Sequence, residues 1–308
     1  MSAEQRVKMP LSTEELEHMG FMVGIGNDAS DYHSDPCKHP SLNQTIAKVL
    51  ATQTELHAWQ AHPRFGNTKR EATEDMEDGS IVDQMLLGGD DRIAVIDAQD
   101  YKTKLARATR DEARAAGKIP VLARKMPWFQ ERADRMRARL ELAGINFSLG
   151  MNQVPLFWVE YADDWTPVQC RGLLDNLEGL KIRDLKRTTS LAEREIRSTI
   201  ERLGYDIQCA AYRSGLERCI KDAVGRVTFE WAFVEASPPY CARPVKPAGS
   251  MLELGNARWR YAINKWARCI NSGMWPGYEE QEVLRVEASS WSLEEAQRRA
   301  NGDEADAA

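Results

Sequence analysis

Apolar residues recur at helical spacing through Leu42, Ile46, Val49 and Leu50, which predicts a helix beginning near Ser41. A short second helix carries Leu56 and Trp59 and must end before Pro63, and residues 79–87 predict a third. Residues 102–116 and 128–143 read as two basic helices parted by Gly117 and the stretch from Pro120 to Pro127. The period then changes. Residues 156–161, 168–177, 180–186 and 227–235 are rich in β-branched, aromatic and leucine side chains, and the last alternates through Val227, Phe229, Trp231 and Phe233, as strands do. Between the third and fourth strands, Ser190 and Glu193 have capping-box spacing, Gly204 supplies a stop, and a further helix runs over about 205–222. Ser250 and Glu253 open a last helix that Gly273 closes, and its Trp259, Ile263, Trp266 and Ile270 lie at helical spacing, which assigns them to core or subunit packing before base stacking. Strands, a crossover helix pair and another strand predict an α/β (α+β) fold: a central mixed sheet flanked by helices, preceded by a helical segment reaching to about 150.

No repeat or linker divides the 308 residues, so one domain is expected over 11–300, between a flexible 1–10 and a flexible acidic tail, 301–308. With 43% hydrophobic and 29% charged residues the chain is neither disordered nor collagenous. It has no apolar signal core near the N-terminus and no apolar run near twenty residues, so a cytoplasmic protein without membrane contact is expected. The six cysteines contain no CxxC pair and read as free thiols. A net charge of -6 is unevenly spread: residues 101–139 carry twelve Lys/Arg against four Asp/Glu, an excess of +8 that leaves -14 elsewhere.

The chemistry lies in Asp175-Asn-Leu-Glu178-Gly-Leu-Lys-Ile-Arg-Asp184-Leu-Lys186. Two strands flank a Glu178-Gly179 turn, and a hairpin centred between Gly179 and Leu180 sets Asp175 opposite Asp184, with Lys186 on the face of Asp184. Facing carboxylates repel unless a cation lies between them. Oxygen ligands suit Mg²⁺ or Mn²⁺. With Lys186 turned toward an attacking water, this arrangement points to phosphodiester hydrolysis; a solvated salt-bridge cluster is the other reading of the same three charges.

On this motif the chain resembles the PD-(D/E)XK nucleases, and among them the phage recombination exonucleases similar to RecE and lambda exonuclease. Gln208-Cys-Ala-Ala-Tyr212 looks like the QxxxY element of the RecB-like branch, 22 residues after Lys186, with Gln208 and Tyr212 one helical turn apart. The resemblance implies a restriction-endonuclease-like core, a catalytic set of Asp175, Asp184, Lys186, Gln208 and Tyr212, and metal ligands at Asp175, Asp184, Leu185 and Asp83. Asp83 stands where many relatives carry a histidine, and Glu77 and Asp78 are further candidates there. It further implies 5′-to-3′ digestion of linear double-stranded DNA to expose single strands for recombination, a ring-shaped homotrimer and a single-strand annealing partner. A single-strand or structure-specific nuclease of the same fold, or a DNA-end binder with a decayed site, are the alternatives.

DNA contacts are expected from the basic segment, at Arg107, Arg110, Arg114, Lys118, Arg124 and Lys125, each of which could equally sit on a solvated helix face. Ser41 and Thr45 could cap a helix or bind a terminal phosphate, and Thr188 could contact a phosphate beside the metal. Gly24-Ile-Gly26 lacks the context of a dinucleotide loop, and His33, His39, His57 and His62 have no zinc spacing.

Overall fold

Glu178 pairs with Lys181 across a two-residue Gly179-Leu180 loop in the computed structural model, and Gly179 takes the left-handed φ of 59° that a tight hairpin demands. The structure describes residues 11–26, 32, 35–66, 74–280 and 283–301. The expected flexible N-terminus and 302–308 of the tail lie outside them, as does His33.

The chain divides into two compact units, Met1–Trp275 and Pro276–Ala308. In chain order the first holds α1 (Thr13–His18), β1 (Gly24–Ile25), α2 (Gln44–Thr52), α3 (Glu55–Ala61), α4 (Glu74–Leu87), β2 (Ile93–Ile96), α5 (Lys104–Ala115), β3 (Ile119–Leu122) and α6 (Met126–Leu142). The central strands follow: β4 (Met151–Tyr161), β5 (Pro167–Glu178), β6 (Lys181–Thr188), then α7 (Glu193–Leu203), α8 (Tyr205–Cys219), β7 (Thr228–Glu235), β8 (Ala242–Val245) and α9 (Gly249–Ser272). The second unit carries α10 (Ser290–Ala300), capped by Ser289.

The six-stranded sheet has the order β1-β4-β5-β6-β7-β8. Only β6 and β7 run parallel, because α7 and α8 form the crossover between them. This is the expected mixed sheet flanked by helices. Alternation sorts its faces. Ile182 of β6 and Phe229, Trp231 and Phe233 of β7 enter a core with α2, α8 and α9, whereas Leu185, Ala232 and Val234 face α4 and α6. Trp259, Ile263 and Trp266 are buried in the first core as expected, while Ile270 is exposed.

Several local expectations fail for identifiable reasons. The helix expected near Ser41 begins at Gln44 under an Asn43 cap, because residues 41–42 run along β5, with Leu42 N–H bonded to the Gln169 carbonyl. Neither capping box forms: Ala192 and Ala248 occupy the two N-cap positions, and Ser190 Oγ accepts from the Ala192 N–H instead. Gly204 and Gly273 do end their helices in the left-handed conformation. Four short strands had no sequence assignment: β1 covers Gly24 and Ile25, β2 and β3 form a separate parallel pair, and β8 is an edge. β3 falls inside the stretch read as a break between basic helices.

The ladders around β5 are interrupted at one point. β4 and β5 pair throughout in one register except at Gln153 and Asp175, where Gln153 adopts a φ of 53°. On the other edge, β6 pairs only from Asn176, and upstream Leu42 bridges to Cys170. Asp175 therefore stands at a gap in both ladders, where β5 and β6 part.

Candidate active site

Released from the ladder, Asp175 turns its Oδ2 to the backbone N–H of Leu185, 2.8 Å away. The hairpin register that sets Asp175 against Asp184 holds through Asn176–Arg183 and opens at the next pair. Asp184 is fixed from two sides. Gln208 Nε2 donates to its Oδ1 at 2.8 Å, and the Lys186 ammonium contacts its Oδ2. Gln208 is aimed by α8, and one turn on Tyr212 is buried against Gly172, where an added Cβ would come within 2.8 Å of the phenol ring. Lys186 also lies over the ring of Tyr205, 4.2 Å from its centroid.

Burial sets the electrostatics. It pushes Asp175 up to about 8, and the neighbouring Asp184 adds to the shift. Asp184 is also raised by burial, against the pull of Lys186 and Gln208. Burial works against the Lys186 charge, but Asp184 and Asp175 outweigh it and hold that pKa up. Both carboxyl groups share the single Lys186 ammonium, and Asp175 Oδ1 has no hydrogen-bond partner among the described residues. The donor set fits one hard cation beside Asp175 and Asp184.

Other expected site residues are placed differently. Asp83 points from α4 to the opposite side of β6, where its carboxylate pairs with Arg187 at 2.8 Å. Among the described residues no group of three or more His, Cys, Asp or Glu stands close enough together to hold a metal, while Asp83 and Asp175 line one cleft. Leu185 engages the site through its N–H. Ser41 is fully buried, donating to Asp35 and accepting from Arg171, so it neither caps the helix nor reaches a ligand. Thr45 lines the same cleft as Asp175, Asp184, Lys186, Gln208 and Tyr212. Thr188 spends its hydroxyl on Ser190, accepting from its N–H and donating to its carbonyl.

The basic segment is less free than its charge suggests. Arg114 pairs with Glu77 at 2.6 Å, Lys125 lies 4.0 Å from Asp78, Arg110 pairs with Asp111, and Arg124 donates to the Gln99 carbonyl. Glu77 and Asp78 are thereby engaged as ion-pair partners away from the carboxylate pair. Arg107 and Lys118 are exposed and carry no ion pair among the described residues. Three of the histidines pack within the fold: His39 stacks on Phe21, His57 bonds Thr54, and His62 is buried. All six cysteines are free.

Tyr205 and Arg171 had no functional assignment from the sequence. Tyr205 is an unremarkable helix residue until the fold brings it under Lys186. Arg171 does carry a signal, since alternation sets residues 171, 173 and 175 on one face of a strand, and Arg171 and Leu173 line the cleft with Asp175.

The crystal structure of a "putative exonuclease" from Eubacterium rectale overlays with a TM-score of 0.54 at 14% identity, covering 93% of this chain and 98% of its own. The two chains share a fold. At that identity the likeness speaks for the architecture and not for the chemistry. A second solved structure, SSO0001, spans 58% of this chain and 83% of its own at 10% identity, and its TM-score of 0.25 is too loose to define a common fold. No protein-family model and no curated protein sequence matches the chain. No helix among the described residues is long and apolar enough to cross a membrane.

Proposed function

We propose that the protein is a metal-dependent nuclease of the PD-(D/E)XK type that hydrolyses phosphodiester bonds of DNA. The observation that carries this reading is the half-buried Asp175 and the buried Asp184 at the gap between β5 and β6, with Lys186 and Gln208 both fixing Asp184. Mg²⁺ or Mn²⁺ held by Asp175 and Asp184 would supply positive charge to a phosphoryl oxygen in the transition state. Gln208 keeps the Asp184 carboxylate from rotating, and Tyr212 seats Gln208 by packing against Gly172. Lys186 Nζ, held as an ammonium beside Asp184, would orient the attacking water, whose proton leaves to solvent. Thr45, on the first turn of α2, faces the same cleft and is the best-placed hydroxyl for a substrate phosphate.

The substrate and polarity rest on the resemblance of the motifs: linear double-stranded DNA, cut from the 5′ end by a homotrimer that hands single strands to an annealing protein. Nucleotide release from 5′-phosphorylated linear duplex tests the core of the reading. Release in Mg²⁺, none in EDTA, and a loss of at least about 100-fold in Lys186→Ala are expected. DNA binding without release in Mg²⁺ or Mn²⁺, on single and double strands, would instead establish an end-binding protein.

A further inference from the structure

Outside the Asp175 cleft, α6 sets aromatic and cationic groups in register. Phe129, Ala133, Met136 and Leu140 bury one face of this helix in the core that it shares with Leu185, Ala232 and Val234 of the sheet. One position earlier at each turn stand Trp128, Arg132, Arg135 and Arg139, spaced by four, three and four residues and therefore aligned along one side of the helix. Trp128 is 52% exposed, and Arg135 and Arg139 are exposed. Over residues 124–139, six Lys/Arg stand against two Asp/Glu, an excess of +4 in a chain whose net charge is -6.

The stripe begins beside the end of the catalytic strand. Arg132 lies over the Trp128 ring, 5.2 Å from its centroid. Of the exposed tryptophans Trp128, Trp165 and Trp291, it is Trp128 that carries a cation among the described residues. Arg132 Nη2 donates to the Ala236 carbonyl just past β7, and the Ala236 N–H donates at 2.7 Å to the carbonyl of Thr188, two residues beyond Lys186 on β6. That is the carboxyl end of the parallel pair β6 and β7, the end at which ligands bind in open sheets. Burial raises the Asp83 pKa while Arg187, Lys186 and Arg132 pull against it, so the stripe and Lys186 act on one carboxylate. Neither Arg132 nor Arg139 forms an ion pair among the described residues, and the buried Arg132 Nε has no acceptor there.

An exposed indole held by a guanidinium and followed by arginines at helical spacing offers a π-face to a base and positive charge to the phosphates beside it. A duplex keeps its bases inside the stack, so such a surface selects an unpaired strand. We propose that the stripe from Trp128 to Arg139 on α6 is a single-strand track, with an unpaired nucleobase stacked on Trp128 and backbone phosphates met by Arg132 and Arg139. The choice of DNA as that strand rests on the nuclease reading given above.

The test is fluorescence anisotropy of the full chain in EDTA with labelled oligothymidylate and with an abasic deoxyribose-phosphate oligomer of equal length. Wild type, Trp128→Ala, Trp128→Phe and Arg139→Ala are compared, each first shown to melt cooperatively. Wild type should bind oligothymidylate more tightly than the abasic oligomer. Trp128→Ala should lose about tenfold on oligothymidylate and little on the abasic oligomer, and Trp128→Phe should recover most of that loss. Arg139→Ala should weaken both by a similar factor and lower the single-strand salt slope by about 0.7. Equal binding of oligothymidylate by wild type and Trp128→Ala, or no binding by either, overturns the track, and digestion of DNA in Mg²⁺ by the same preparation then leaves the nuclease reading standing. Base-dependent binding through Trp128 with no digestion in Mg²⁺ or Mn²⁺ overturns the nuclease reading and leaves the track as that of a single-strand binding protein. An assembly in sedimentation that Trp128→Ala breaks, with oligonucleotide binding unchanged, overturns the track in favour of a subunit contact.

Discussion

At Asp175 the proposed function is set against stability. Its folded pKa is raised to about 8, so its contribution is present in full below the ordinary carboxylate range and is lost as pH rises through about 8. Metal-free protein should therefore lose stability from about pH 4 to 8, and Asp175→Asn in EDTA should melt higher at neutral pH, by a few degrees for roughly 1–2 kcal/mol. Added Mg²⁺ should stabilise wild type and not the variant; equal melting of the two proteins in EDTA would show that the carboxylate pair carries no strain. His62 behaves in the opposite sense. Its Nδ1 accepts from the Arg64 N–H and its Nε2 faces the Ser41 carbonyl, so the neutral ring satisfies both atoms. Burial holds its pKa down to about 4, and the stability it confers is present above about pH 6.5 and lost as pH falls toward 4. His62→Gln should flatten that acid limb, whose slope in wild type is at most about 1.4 kcal/mol per pH unit for one proton. An unchanged limb in the variant would assign it to other groups.

At the scale of elements, the site depends on how closely α8 approaches the sheet. Gly172 leaves room for Tyr212, and Gly215 lets α8 rest on Trp158, where an added Cβ would come within 2.9 Å of the indole. Gly172→Ala should push Tyr212 outward and draw Gln208 off Asp184. The expected result is a loss of activity on the order of tenfold or more, at a stability cost of about 1–3 kcal/mol. Full activity with an unchanged melt would mean that the helix is not held at that distance. The same dependence explains which elements were legible. β5, β6 and β7 announce themselves because strong apolar strands buried in a core read the same in sequence and in structure. β1, β2, β3 and β8 have two to four residues each and owe their pairing to neighbours, a signal that no local window contains. The two expected capping boxes fail for a related reason: the chain direction set by packing decides where a helix begins.

For the whole molecule, the proposed function requires an acidic protein to bind DNA through a minority of its surface. Each phosphate contact should contribute about -0.9 to the slope of log affinity against log salt on duplex DNA. Arg107 and Lys118 are exposed and unpaired among the described residues, whereas Arg114 is held by Glu77 and Arg110 by Asp111. The double variant Arg107→Ala/Lys118→Ala should therefore flatten the slope by about 2, and Arg114→Ala by less than one contact's share. The reverse order would mean that DNA displaces the intramolecular pairs. The mixed sheet, the hairpin register as far as Asn176 and Arg183, and the alternation that puts Lys186 beside Asp184 were all determined by the sequence itself, because period and turn chemistry act over a few residues. Asp83 turning to Arg187, Ser41 vanishing into a buried cluster with Asp35 and Arg171, and Tyr205 under Lys186 were decided only by the tertiary structure. Each depends on a partner brought from far along the chain, and the energy of such a contact belongs to the pair, so neither residue's local sequence carries it.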